Sequence, residues 1–270
     1  MVVEGAELLS VALAAGADVE AVYVAPEGAD TPAVVEVTSA VLAGGGRVFD
    51  LAPGVMARVA STVSPQPLLA VVPYRPATWS SLDGATLVVV CVDVRDPGNL
   101  GTVIRTADAA GVDAVVVCEG TVDPTNPKVV RSTAGSLFHL PVVDGGPAAD
   151  ALAELSARGL TTVATVVRGG TDYTGFDWTR PVALVLGNEA TGLDPGLAAS
   201  LGDGVTVPMA GRAESLNVGI SAAVLCFEAL RQRRAAGSPG AGPARSTMSA
   251  MDGPAPTAAA ARTPDRDVAP

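Results

Sequence analysis

Three short runs in this chain are apolar without interruption: L-V-V-V-C-V at residues 87–92, A-V-V-V-C at 114–118 and P-V-A-L-V-L at 181–186. They are rich in β-branched residues and lack the alternation of a strand with one wet face. Runs of this kind are strands buried on both faces. Helical patterns separate them, at residues 99–110 with Gly111 placed to end the helix, at 128–134, at 148–158 ending at Gly159, and at 195–201. Shorter strand candidates lie at 140–143, 161–166 and 205–207. Alternating strands and helices require an α/β fold, with a parallel sheet covered on both faces. Apolar residues are 49% of the chain and aromatics only 3%, so Val, Ala and Leu must fill that core.

The 270 residues allow one large or two modest domains. Residues 1–76 read as a small α/β unit: a helix at 7–15, strands at 19–24, 47–49 and 68–72, and a helix at 53–60 with Pro53 in its first turn. The apolar stretch 34–42 fits either type. Residues 73–84 are linker-like in composition, which puts a linker at 77–84 and the larger domain at 85–234. From 235 to 270 Gly, Pro, Ala, Ser and Thr dominate without apolar periodicity, and a disordered tail is expected. No run reaches the roughly 18–20 apolar residues that span a bilayer, and no basic segment precedes an apolar one at the start, as a secretory signal would need. Cys91, Cys118 and Cys226 form neither a disulfide framework nor a metal spacing, so they read as buried thiols in a reducing, cytoplasmic compartment. The net charge of −11 argues against a basic nucleic-acid binder in bulk, though a local patch can act against it.

Polar loops follow three of the strands, where ligands gather in parallel sheets. In the first stretch, C-V-D-V-R-D-P-G-N-L-G-T-V-I-R-T-A-D-A-A-G at 91–111, the Asp96-Pro97-Gly98-Asn99 run is a turn. Asn99 can cap the next helix or reach the site. Arg105 lies within two turns of it, and spacing alone suits a surface pair with Asp108 as well as a role in the site. In the second, L-V-L-G-N-E-A-T-G-L at 184–193, Gly187 lets a ligand approach the backbone and Glu189 is a loop acid. The third runs from Val205 to Leu230. Pro208 ends its strand, Ser215 is placed as an N-cap, and Leu216, Ile220, Val224, Phe227 and Leu230 recur at helical spacing. Gly219, Ser221, Ala222 and Ala223 leave that helix narrow enough for another backbone to approach. No dinucleotide or P-loop fingerprint is present. His139, the only histidine, reads as a structural imidazole. Arg231, Arg233 and Arg234 suit the negative end of the last helix.

In this order and spacing the three stretches resemble the motifs of the SpoU (TrmH-like) RNA 2′-O-ribose methyltransferases, a branch of the SPOUT superfamily. The resemblance reaches from the start to about Arg234. It implies a C-terminal trefoil knot that holds S-adenosyl-L-methionine through its backbone, with Gly187, Val207 and Leu216 at cofactor-contact positions. Asn99 and Arg105 match the family's Asn and catalytic Arg, and Glu189, Ser215 and Asn217 match its polar active-site positions. It also implies an RNA substrate, ribosomal RNA first and tRNA as the alternative, a homodimer, and no metal. A catalytically idle RNA-binding or assembly protein of the same fold is the reading from another class. The opening V-V-E-G-A-E-L-L is similar to the family's L30e-like substrate domain. Members carry further residues ahead of that segment, so the start reads as clipped. K-V-V-R-S-T-A-G-S-L-F-H-L-P at 128–141 also looks like the family's, with Arg131 and Ser132 placed to contact RNA or line the site; packing and capping account for them equally well.

Overall fold

A computed structural model describes residues 1–60 and 62–237. The tail expected over 235–270 lies outside the described residues from 238 onward.

Two sheets form in chain order. The first unit runs β1 (Val2–Glu4), α1 (Ala6–Ala14), β2 (Ala21–Val24), α2 (Pro32–Ala43), β3 (Arg47–Asp50), α3 (Met56–Val59) and β4 (Leu68–Val71). Its strand order is β1-β4-β2-β3, antiparallel at the two β4 pairings and parallel between β2 and β3. The stretch 34–42 is helical, because Val34, Val37 and Val41 form one buried stripe at helical spacing. Pro53 lies outside α3, which is only four residues long, so the expected helix over 53–60 is mostly loop. β1 was not anticipated; pairing with β4 makes a strand of a segment too short to declare itself.

The second unit runs β5 (Leu87–Cys91), α4 (Pro97–Ala109), β6 (Ala114–Cys118), α5 (Pro127–Ser132), β7 (Val142–Gly146), α6 (Ala148–Ala157), β8 (Thr161–Thr165), β9 (Thr171–Asp172), β10 (Val182–Leu186), α7 (Pro195–Ser200), β11 (Asp203–Thr206) and α8 (Val218–Ala235). Its seven strands are ordered β7-β6-β5-β10-β8-β11-β9, and every pairing is parallel.

Burial on both faces is visible residue by residue. In β5, Leu87, Val89 and Cys91 face the core under α4, α5 and α8, while Val88 and Val90 face a second core under α6. In β10, Leu184 and Leu186 face the first core, Ala183 and Val185 the second. Each fully buried Val or Leu contributes roughly 1.5–3 kcal/mol of transfer free energy, enough to specify both layers. Residues 77–84 are docked rather than loose: the Ala77 N–H donates to the Val142 carbonyl at 2.9 Å, and Leu82 is buried in the second core.

The chain goes from β5 outward through β6 to β7, then crosses to build β8, β9, β10 and β11 on the other side. This reversal beside β5 is the switch point where parallel sheets hold ligands. The two units touch where the nearly buried Glu4 carboxylate lies 3.6 Å from the Arg131 guanidinium of α5. That pair gives Arg131 a packing role between the units, one of the two alternatives its position offers. Ser132 also turns inward: a side chain on Gly101 of α4 would collide with it, so α4 and α5 approach closely there.

The last helix differs from its expected orientation. Val218, Ala222, Leu225, Cys226 and Ala229 are buried, whereas Ile220 and Phe227 of the predicted stripe are 49% and 48% exposed. The small residues admit α4 instead: a Cβ on Gly219 would lie 2.9 Å from Thr102 Cγ2. Arg233 is buried rather than serving the helix terminus. Its guanidinium donates to the carbonyls of Trp178 (2.9 Å), Thr86 (2.8 Å) and Arg180 (3.0 Å) and to Thr86 Oγ1 (2.7 Å). All three cysteines are free and buried, and burial pushes the Cys226 thiol up to about 12. Among the described residues no helix is long and apolar enough to cross a membrane.

Candidate active site

The loops after β5, β10 and β11 meet at one edge of the large sheet, and Glu189 joins two of them. Its Oε1 accepts the Asp96 N–H at 3.0 Å and Asn99 Nδ2 at 2.9 Å, and its Oε2 accepts the Arg95 N–H at 3.3 Å. Asn99 passes the link on, because its Oδ1 accepts Asn217 Nδ2 at 2.8 Å. Asn217 ends the chain by capping α8: its Oδ1 accepts the N–H groups of Gly219 (2.9 Å) and Ile220 (3.3 Å). Glu189, Asn99 and Asn217, one from each stretch, therefore form a continuous hydrogen-bonded row.

One expected cap is corrected, and one of the two readings of Asn99 is removed. Ser215 is not the N-cap of α8; the helix begins later and Asn217 holds that position. Asn99 does not cap α4, since the Asp96 carboxylate accepts the Asn99 N–H at 2.9 Å and leaves the Asn99 side chain free for Glu189 and Asn217. An Asp before Pro-Gly-Asn is a good cap by its short acceptor, and that signal was available in the sequence.

Burial pushes the Glu189 pKa up, but hydrogen bonds from the Asn99 side chain and from nearby backbone N–H groups outweigh it. The carboxyl titrates below its ordinary value of 4.5. It is an ionised acceptor at neutral pH, as the three donors around it require.

A second tie between these loops was not anticipated. Asn188 Nδ2 donates to the Asp93 carbonyl at 2.9 Å and to its carboxylate at 3.1 Å. Asp93 has φ 57, a left-handed conformation that Asp and Asn tolerate better than other side-chain-bearing residues. Gly187 is needed for a different reason than ligand access alone. A Cβ there would lie 2.6 Å from Gly192 C and Leu193 N, where Asn188 and Gly192 exchange backbone hydrogen bonds to close the loop.

Arg105 and Ser215 stand outside the row. Arg105 is exposed on α4, and among the described residues its side chain has no hydrogen bond or ion pair. The alternative pair with Asp108 does not form; Asp108 lies 3.8 Å from His139 Nδ1 instead. Ser215 is exposed, whereas Val207 and Leu216 are half-buried at either end of the third loop. Between them the peptide groups of residues 209–216 make no hydrogen bond to the rest of the described chain, which leaves a run of free donors and acceptors. Among the described residues, no group of three or more His, Cys, Asp or Glu is placed to hold a metal ion.

An all-parallel sheet with three tied polar loops at its switch point is an α/β scaffold of the class that gathers ligands at its strand ends. The chain belongs to the SpoU rRNA Methylase family, whose model matches residues 86–227. It is 42% identical over 169 residues to the 23S rRNA (guanosine(2553)-2′-O)-methyltransferase RlmP of Bacillus subtilis, covering 63% of this chain and 66% of that one. It is 40% identical over 142 residues to the 23S rRNA (uridine(2479)-2′-O)-methyltransferase of Streptomyces viridochromogenes, covering 51% and 50%. The matched part thus spans half to just under two thirds of these relatives. Solved structures match over more of the fold. The AdoMet-bound rRNA methyltransferase of Sinorhizobium meliloti superposes with a TM-score of 0.74 at 34% identity, covering 87% of both chains. The SpoU methyltransferase AviRb of S. viridochromogenes, in complex with AdoMet, gives 0.74 at 29% identity over 87% of this chain and 90% of that one.

Proposed function

We propose that this chain transfers a methyl group from S-adenosylmethionine to a ribose 2′-oxygen of ribosomal RNA. The observation that carries the reading is the Glu189–Asn99–Asn217 row, which holds the three loops of a SpoU-family sheet together at the switch point. The residues at that edge fit the cofactor. Val207 and Leu216 supply apolar surface, the unbonded peptides of 209–216 supply donors and acceptors, and the tight turn at Gly187 brings backbone to the same edge. When bound, the cofactor supplies a methyl carbon on a cationic sulfonium, open to in-line attack by the 2′-oxygen.

The protein's own work is alignment and charge stabilisation. Glu189 is ionised and accepts three hydrogen bonds from the first loop, so it holds that loop against the second. Asn99 and Asn217 carry that rigidity to the start of α8. Arg105 grips the phosphate beside the target ribose and stabilises negative charge developing on the attacking oxygen. A guanidinium, with a pKa above about 12, does not act as a base; phosphate or water takes the proton. Ser215 presents its hydroxyl from the exposed loop.

The same reading assigns residues 1–76 to an L30e-like RNA-binding domain, 77–84 to the connection and 85–234 to the methylase domain with its trefoil knot. The coverage of the solved relatives over both units supports it. It also makes the protein a dimer through the exposed face of α8, where Ile220 and Phe227 are half exposed. Buried free thiols agree with a reducing cytoplasm.

The test is methyl transfer from labelled S-adenosylmethionine to unmodified 23S ribosomal RNA transcribed in vitro, with calorimetric titration of the cofactor in a chelating buffer. Cofactor binding and label at a ribose 2′-position are expected. No cofactor binding at millimolar concentration, or label on a base, overturns the reading.

A further inference from the structure

Arg95 is tied into the first loop at both its backbone and its side chain. Its N–H donates to Glu189 at 3.3 Å, so its backbone is anchored to the catalytic row. Its side chain is 72% exposed, yet it is not free to wander: Nε is held by Asp93 Oδ1 at 2.8 Å. The two terminal amino groups have no partner among the described residues. Asp93 itself is kept in a left-handed conformation and pinned from the other side by Asn188 of the second loop. A strained acidic residue thus orients an exposed guanidinium at the edge of the site, while two loops fix the strained residue.

We propose that Arg95 is a second phosphate-gripping residue, which holds a backbone phosphate of the substrate RNA apart from the one assigned to Arg105. The inference rests on the proposed methyl-transfer reading. A guanidinium tied at Nε still offers its terminal amino groups, and a phosphate oxygen is the acceptor such donors suit best. Holding the group in advance reduces the side-chain entropy lost on binding. The chain is acidic overall, with a net charge of −11, so pre-aimed cations at the site must do what a basic surface does elsewhere. Asp93 offsets the charge of Arg95 at long range while leaving the terminal donors available, which favours close contact over diffuse attraction.

The test compares wild type with Arg95→Gln, Arg95→Lys and Asp93→Asn on the same 23S transcript. It uses steady-state kinetics and RNA binding across a salt series. Arg95→Gln is expected to raise KM for RNA about tenfold with kcat within about threefold of wild type. Its log–log salt slope should fall by about 0.7–0.9, the value of one phosphate contact. Arg95→Lys should recover the salt slope but not the KM, because it restores a charge without the fork. Asp93→Asn keeps a residue that tolerates the backbone and should show part of the KM rise. All three should melt with wild type, since a purely structural role would move Tm and leave the salt slope alone. Arg95→Gln with wild-type KM and salt slope overturns the proposal. A wild type that binds the transcript but transfers no methyl group overturns the proposed function and leaves the salt-slope comparison decisive for Arg95. A wild type that binds no RNA overturns both.

Discussion

Arg105 is exposed on α4, and among the described residues its side chain has no partner, which leaves its guanidinium available to a ligand. Arg105→Ala should lower methyl transfer by about two to four decades, while S-adenosylmethionine affinity stays near wild type, because the proposed cofactor contacts lie in the other two loops. Single-turnover kinetics beside calorimetry decides; a rate within threefold of wild type removes Arg105 from the mechanism. Glu189 carries a pH dependence. Its folded pKa lies below the ordinary 4.5, so its contribution to stability is fully present above that value and is lost as pH falls through the lower, folded one. Denaturant midpoints of wild type and Glu189→Gln should differ by a constant amount at neutral pH and converge in acid. Arg233 is the structural counterpart of these residues. Replacing it by Met removes the donor to the buried Trp178 carbonyl and to the half-buried Arg180 carbonyl, while the Thr86 carbonyl keeps the Val182 N–H, and should cost about 1–3 kcal/mol in urea unfolding, with kcat per folded molecule unchanged.

At the scale of the element, α8 serves two partners. Its N-terminus belongs to the site through Asn217, and its small residues belong to α4 through Gly219. Gly219→Ala brings a methyl group against Thr102 and should destabilise by about 1–3 kcal/mol, read as a lowered thermal midpoint, unless α8 shifts away. Such a shift would pull Asn217 from Asn99, so activity should fall together with stability. The periodicity of this helix was legible, but its direction was not. Spacing identifies a stripe and does not say which side of the helix faces the core. The buried side carries Val218, Ala222, Leu225, Cys226 and Ala229, and the close approach of α4 falls at its small residues, such as Gly219.

For the whole molecule, the face left over by that choice predicts assembly. Ile220 and Phe227, one face of α8, are half exposed and apolar, and closed two-fold pairing is the commonest way to cover such a face. Light scattering should give twice the 26.8 kDa of the chain. Phe227→Asp should shift it to one chain, because a buried charge at the centre of a paired surface is costly. A wild type that scatters as a single chain at micromolar concentration ends the dimer reading.

The sequence alone determined the layers. Continuous apolar runs such as 87–92 and 181–186, short, β-branched and bounded by turn residues, read as strands covered on both sides, and the helical patterns between them favour a parallel sheet. The three polar stretches were legible for the same reason, as breaks in that pattern at strand ends. Tertiary structure decided what the stretches do to one another. Asn99 and Glu189 are 90 residues apart in the chain, and Asn99 and Asn217 are 118 apart. The insertion of β10 beside β5 brings the first pair within hydrogen-bond distance, and the packing of α8 on α4 brings the second. It also decided which residue caps each helix, Asp96 and Asn217 rather than Asn99 and Ser215. Neighbouring polar side chains have similar local propensities to cap. The contact that frees one of them is made by a distant loop, and local sequence carries no record of it.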